Sequence, residues 1–214
     1  GTNDLFELQY KNVILEKMPG LIKQGKIMCK KYNIMCTNPP YMSSAGMNVK
    51  LSYFLAKKFP HSKKDLFAVF MELYKSCLKN NGFFAMINQH SWMFLKSFDE
   101  IRKEILQETT IRNMVHLGAR AFEEIGGEVV QSTAFVIQKN VCNNYNGKYL
   151  RLVEYKNPYE KEEQFFNKDN YYIFNNNNFF NIPNYPVAYW LSKNTIDVFI
   201  KCPKLGELGK ASEG

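Results

Sequence analysis

From residue 32 to residue 154, short apolar runs alternate with stretches in which apolar residues return every three or four positions, the pattern of strands and helices in an α/β sheet. Ahead of it, in 5–23, Leu5, Leu8, Val13, Leu15 and Met18 lie at helical spacing, and Pro19-Gly20 is expected to break that helix. Residues 32–37 read as a short buried strand. Asp65 stands where an N-cap belongs, before a helix predicted to run to Leu78 with Asn81-Gly82 as its stop. Residues 83–87 form the next predicted strand. Ser97 is expected to open a helix to about residue 107, with Glu100 placed for a capping box. Residues 111–117 follow as a strand. The run 132–138 is predicted to pair with 148–154 as an antiparallel edge hairpin across Asn143-Asn144-Tyr145-Asn146-Gly147.

Beyond residue 157 the pattern changes. Residues 160–163 are charged, as in a helix start or a solvated linker, and Asn175-Asn176-Asn177-Asn178 is a polar run that offers nothing to bury. Phe179-Phe180-Asn181-Ile182-Pro183 and Val187-Ala188-Tyr189-Trp190-Leu191 then carry more apolar surface than a linker needs, and are expected to pack back on the sheet. The chain is accordingly divided into a sheet-bearing part, 1–156, and a connector, 157–214.

Chemistry enters at Asn38-Pro39-Pro40-Tyr41, directly after the apolar run Ile34-Met35-Cys36. Consecutive prolines fix their own φ angles and hold the residues before them extended, so the strand must end in a rigid loop. Neither proline has an N–H, which leaves the Pro39 carbonyl and the Asn38 side-chain oxygen as acceptors for a single amino group. Tyr41 supplies a ring for stacking. In open α/β sheets ligands sit beyond the carboxyl ends of strands, where Asn38 falls. The plain alternative is a Pro-Pro turn beside a core tyrosine.

The motif resembles the catalytic loop of amino-methyltransferases acting on DNA, and reads NPPY without departure from that pattern. Four further segments extend the likeness: Met42-Ser43-Ser44-Ala45-Gly46-Met47-Asn48, 62–72, Gln89-His90-Ser91-Trp92-Met93-Phe94-Leu95 and 116–136. Together they resemble the large adenine-specific methyltransferases of BREX-type phage defence and related single-chain restriction-modification enzymes. The resemblance implies a Rossmann-like S-adenosylmethionine-dependent sheet, a flipped-out adenine on Tyr41, and Asn38 and Pro39 as acceptors on its amino group, with Pro40 completing the loop. It also sets Asn38 beside the cofactor and the connector 157–214 on the way to a target-recognition domain. Such enzymes need a Gly-x-Gly turn and a later acid for the cofactor, and neither is found. The chain is therefore expected to be the C-terminal half of a catalytic domain, inactive alone. The same loop serves protein glutamine and RNA-base methyltransferases. A non-catalytic binding module is the other alternative.

A net charge of +8 favours a polyanionic partner, which the resemblance specifies as double-stranded DNA, although Lys57-Lys58 and Lys63-Lys64 read rather as ordinary solvated helix faces. Other restriction or defence subunits are expected partners. An exposed edge and apolar face would also promote self-association. The five cysteines are widely spaced and odd in number, which argues against a disulfide framework or CxxC metal site and suits a reducing cytoplasm; no stretch is long enough to span a membrane. His61, His90 and His116 are not at ligand spacing and read as capping or core residues. Trp92 and Phe94 follow a strand end on the same side as NPPY, where either is a candidate wall for the base and equally a candidate for core packing. Gly126-Gly127, with Glu124 and Glu128, reads as a loop near DNA or a tight reversal.

Overall fold

The computed structural model describes residues 5–122, 130–203 and 209. The chain divides into two compact units, 1–32 and 33–214. The first consists of α1 (Leu5–Cys29) and the residues that follow it, with Pro19 inside a continuous helix. The expected break at Pro19-Gly20 does not occur. Proline removes one N–H bond and kinks a helix, but the turns on either side retain theirs.

In the second unit β1 (Tyr32–Thr37), β2 (Leu78–Gln89), β3 (Thr110–Gly118), β4 (Ser132–Gln138), β5 (Asn146–Arg151) and β6 (Tyr171–Asn175) form a mixed six-stranded sheet in the order β1-β2-β4-β3-β5-β6. Strand β4 lies antiparallel between β2 and β3, with Ile87 opposite Ala134 and Ala134 opposite Val115. Strand β5 runs parallel to β3, and β6 antiparallel to β5. The predicted β4–β5 hairpin is thus incorrect. The apolar runs are strands, but β4 is flanked on both edges by β2 and β3, and the antiparallel edge pair is β5–β6. Gly118 ends β3 at φ +68°, where a Cβ would also meet Val153 at 2.9 Å, so glycine is required on both counts.

Helices α2 (Val49–Lys58), α3 (Leu66–Cys77), α4 (Asp99–Glu108), α5 (Pro158–Glu163) and α6 (Lys193–Lys201) complete the unit. Asp65 caps α3 as its position predicts, its carboxylate accepting from the Phe67 N–H. The helix ends at Cys77, and Asn81-Gly82 lies inside β2, where Asn81 takes a left-handed φ of 63°. Helix α4 starts two residues later than Ser97 and has no side-chain cap; Glu100 is not part of a capping box, and its N–H instead meets Asp99 Oδ1.

One face of the sheet is covered. Phe84 and Met86 of β2, Met114 of β3, and Phe135 and Ile137 of β4 pack with Phe67, Met71, Ile101 and Ile105 of the helices. The tail seals this core: Phe179, Val187 and Tyr189 are almost fully buried, as expected of an anchor, and β6 belongs to the sheet. The contacts set no boundary at residue 156. Asn176 departs from the polar-run expectation. It is buried, takes a hydrogen bond from Tyr149 Oη at 2.7 Å and donates to the Ile111 carbonyl at 3.0 Å, so its amide is satisfied inside the core.

Arg102, wholly buried on α4, holds the tail to the loop after β2. Its Nη1 donates to the carbonyls of Trp92 (2.9 Å) and Leu95 (2.7 Å), and its Nη2 to that of Asn184 (2.7 Å). Val187 N–H adds a bond to the Met93 carbonyl at 2.9 Å. Replacing Arg102 by Met keeps the stem's packing but removes the donors from one buried carbonyl, that of Trp92, and two part-buried ones, so a loss of about 2 kcal/mol is expected in urea unfolding. A midpoint unchanged from the parent would refute the staple.

Candidate active site

Strand β1 delivers Asn38-Pro39-Pro40-Tyr41 at its carboxyl end. Pro39 is buried, while Asn38 is exposed and its side chain has no hydrogen-bond partner among the described residues. Tyr41 is half-buried: its ring meets Phe67 of α3 edge-on at 6.3 Å, and its hydroxyl reaches the Ile87 carbonyl at 3.4 Å. The loop beyond is fastened to the start of α3. Asp65 Oδ1 accepts from Met42 N–H at 3.1 Å, Leu66 N–H donates to the Met42 carbonyl at 3.0 Å, and Ser44 N–H to that of Lys64 at 2.9 Å. Asp65 thus joins cap and loop, a second role that its cap position does not disclose. Burial raises its carboxyl pKa, against the opposing pull of its backbone donors, and burial followed by the Asp65 charge raises that of Tyr41.

Beside Asn38, the uncovered face of the sheet forms a groove of about 520 Å³ floored by Ala85, Ile87, Val115, Ala134 and Val136. Alternation selects these residues for the groove: their neighbours along each strand point into the core. The polar residues along the groove are Thr37 and Asn38 at the strand end and Asn113 on β3.

The two candidate wall residues separate. Trp92 is fully enclosed against Phe135 (5.3 Å between rings) and has no surface to offer a base, so it is a core residue. Phe94 remains partly exposed and lies edge-on to His90 (5.5 Å) and Trp190 (5.6 Å). His61 is exposed and pairs with Glu104, whose carboxylate also meets Lys75. Gly126-Gly127, Glu124 and Glu128 lie outside the described residues.

The other two histidines are linked, which their spacing in the sequence does not indicate. His90 Nδ1 lies 2.8 Å from His116 Nε2, and His116 Nδ1 lies 3.1 Å from the Tyr189 hydroxyl. They meet because β2 and β3 flank β4 with their carboxyl ends level, Asn88 and His116 both facing Thr133. The one available clue was that each histidine sits at the end of an apolar run. Burial, then the neighbouring His90, Arg151 and Lys161, lowers His116 to about 3; burial alone lowers His90. Among the described residues no group of three or more His, Cys, Asp or Glu is placed to hold a metal ion.

Residues 4–122, more than half of the chain, match the Eco57I restriction-modification methylase family. The chain belongs to that family. It is also 47% identical over 188 residues to the adenine-specific methyltransferase PglX of Lacticaseibacillus casei (strain Zhang), covering 85% of this chain and 16% of the relative. To the adenine-specific methyltransferase BrxX of Escherichia coli O9:H4 (strain HS) it is 44% identical over 203 residues, covering 94% of this chain and 16% of that one. These matches agree with the BREX-type resemblance drawn from NPPY and its neighbours. This methylase-family chain spans about one sixth of the length of those relatives, on the 16% coverage of each. Among solved structures, the ATP-dependent Type ISP restriction-modification enzyme LlaBIII bound to DNA superposes at a TM-score of 0.54 and 16% identity, over 71% of this chain and 12% of that one, which establishes the shared α/β fold.

The buried histidine gives a pH dependence whose sign is fixed. His116 folds neutral with a pKa near 3, so acid protonates the unfolded chain first. Its contribution is complete above the ordinary histidine value of about 6.5 and is lost as pH falls toward about 3. From pH ~7.5 to ~5 the parent should lose about 2 kcal/mol that His116→Phe does not lose. Urea midpoints of both proteins at both pH values measure this; equal losses would contradict the neutral buried state.

Proposed function

We propose that this chain is the target-side half of the catalytic domain of a site-specific DNA adenine methyltransferase serving restriction-modification or phage defence. One observation carries the reading: an exposed Asn38, without a side-chain partner among the described residues, stands on a loop locked by two prolines, beside a half-buried tyrosine ring at the carboxyl end of β1. The family membership and the two relatives named adenine-specific methyltransferases favour adenine over glutamine or an RNA base.

The chemical obstacle is that the exocyclic nitrogen of adenine shares its lone pair with the ring and is a weak nucleophile. Asn38 Oδ1 and the Pro39 carbonyl accept its two hydrogens and return electron density to nitrogen, and they stabilise the positive charge that develops there. Tyr41 stacks on the extruded base and offsets part of the cost of unpairing it. Its ring is already braced by Phe67 and its hydroxyl engages only a distant carbonyl, so the ring rather than the hydroxyl performs this role.

S-adenosylmethionine, the proposed methyl donor, supplies the electrophilic carbon. The residues of this chain do not by themselves fit that cofactor: the sequence has no Gly-x-Gly turn, and the groove next to Asn38 is apolar and has no acid to receive a ribose. The cofactor's main contacts are assigned to the part of the longer relatives that this chain does not span. Double-stranded DNA and other restriction or defence subunits are the proposed partners, and the open apolar groove is a surface for self-association of the isolated chain.

Two expectations follow. Calorimetric titration of this chain alone with S-adenosylmethionine should show no micromolar binding, and such binding would overturn the division of labour. In the full-length enzyme, Asn38→Ala should lower single-turnover methylation by about two to three powers of ten while DNA affinity hardly changes. Tyr41→Ala should weaken binding by roughly 1 to 3 kcal/mol and Tyr41→Phe should be mild. An Asn38→Ala enzyme with near-normal turnover rules out the assignment.

A further inference from the structure

The His90–His116–Tyr189 chain has a direction, and that direction determines what His90 presents at its far nitrogen. The Tyr189 hydroxyl is buried, and His116 Nδ1 is the one hydrogen-bond acceptor it meets among the described residues, so donating there is what keeps its proton paired. The hydroxyl proton then points at His116 Nδ1, 3.1 Å away. A neutral imidazole that accepts at Nδ1 carries its proton on Nε2, and that proton faces His90 Nδ1 at 2.8 Å. His90 must accept, which leaves its own proton on Nε2. Both rings are kept neutral by burial, so neither tautomer is blurred by protonation near neutral pH.

His90 is the first residue after β2, only three beyond Ile87, whose carbonyl receives the Tyr41 hydroxyl. Its backbone is fixed by a bond from its N–H to the Gln131 carbonyl at 2.8 Å, and its ring by Phe94 edge-on. The imidazole is only partly covered, and its Nε2 makes no protein hydrogen bond among the described residues. Each bond in the chain polarises the next, beginning at the Tyr189 hydroxyl, which lies in the field of the Arg151 cation; that cation sits 4.6 Å from the centre of the Trp190 ring. The terminal N–H is therefore a fixed, strengthened donor, suited to an anionic acceptor rather than to a neutral carbonyl.

We infer that His90 Nε2–H binds a phosphate oxygen of the target DNA strand near the extruded adenine, with His116 and Tyr189 as positioning residues that fix its tautomer. This rests on the methyltransferase reading above and adds a substrate contact outside the Asn38-Pro39-Pro40-Tyr41 loop. It also gives the tail a role in DNA binding: Tyr189, carried on the segment stapled by Arg102, sets the proton on a histidine at the sheet's active end.

The test uses the full-length enzyme and duplexes in which single phosphates flanking the target adenine are replaced by neutral methylphosphonates. The parent enzyme should show a raised KM at one phosphate. His90→Ala should raise KM for unmodified DNA about tenfold with kcat changed less than twofold, and should be indifferent to neutralising that same phosphate. His90→Gln, which retains an N–H donor, should recover part of the affinity. Tyr189→Phe should raise KM severalfold in the parent background and not at all in His90→Ala. The inference is overturned if His90→Ala keeps the parent's phosphate sensitivity, or if the Tyr189→Phe effect persists without His90. If instead Asn38→Ala retains turnover, the methyltransferase reading fails, whatever His90 does.

Discussion

The antiparallel insertion of β4 between β2 and β3 is the constraint on which the candidate site of this molecule depends. Because β4 runs opposite to both neighbours, those neighbours run parallel, and their carboxyl ends finish level at Gln89 and Gly118. His90 and His116 meet across that end although they are 26 residues apart in sequence. The same insertion places Phe135 against Phe84 and Trp92 on one face and leaves Ala134 and Val136 on the other. One strand thus fixes both the covered core and the open groove beside Asn38.

Two buried charged groups hold the irregular segments to that frame, in complementary ways. Asp65 accepts N–H groups from the loop after NPPY and from the first turn of α3, so a carboxylate satisfies donors that the loop and helix start leave unpaired. Arg102 does the reverse and donates to carbonyls of the loop after β2 and of the tail. Neither side chain has an opposite charge as its principal partner. Both are held by backbone dipoles, which suits groups whose task is to fix the path of loops. The fixed loop geometry keeps the Tyr41 ring on Phe67 and sets Phe94 against Trp190.

The tail belongs to the same body. Tyr149 of β5 stacks on Tyr189 at 4.6 Å and 9°, with Tyr149 also bonded to Asn176. Lys161 is buried too, its ammonium donating to the carbonyls of Leu152 (2.8 Å) and Tyr155 (2.5 Å), and burial lowers its pKa. A segment that reads as a connector in composition is thus built into the sheet's far edge.

By itself the sequence determined the local features. Strand β1 and its rigid ending, the Asp65 cap, the apolar strands and the family follow from short patterns, because proline geometry, capping and side-chain alternation act over a few residues, although β1 is not the buried strand its apolar run suggests: Ile34 is exposed. It misplaced β4, since an antiparallel apolar strand looks the same whether it pairs with its successor or slips between two earlier strands. It also kept Pro19 out of a helix that tolerates it, and left Asn176 in solvent when distant partners satisfy its amide. Trp92 and Phe94 were indistinguishable as candidates because they are two residues apart on one loop; only packing buries the first and leaves the second at the surface. The histidine chain and the Arg102 staple were beyond any local pattern. They join residues brought together by strand order, and strand order is decided by which arrangement of the whole sheet buries the most apolar surface with its polar groups paired.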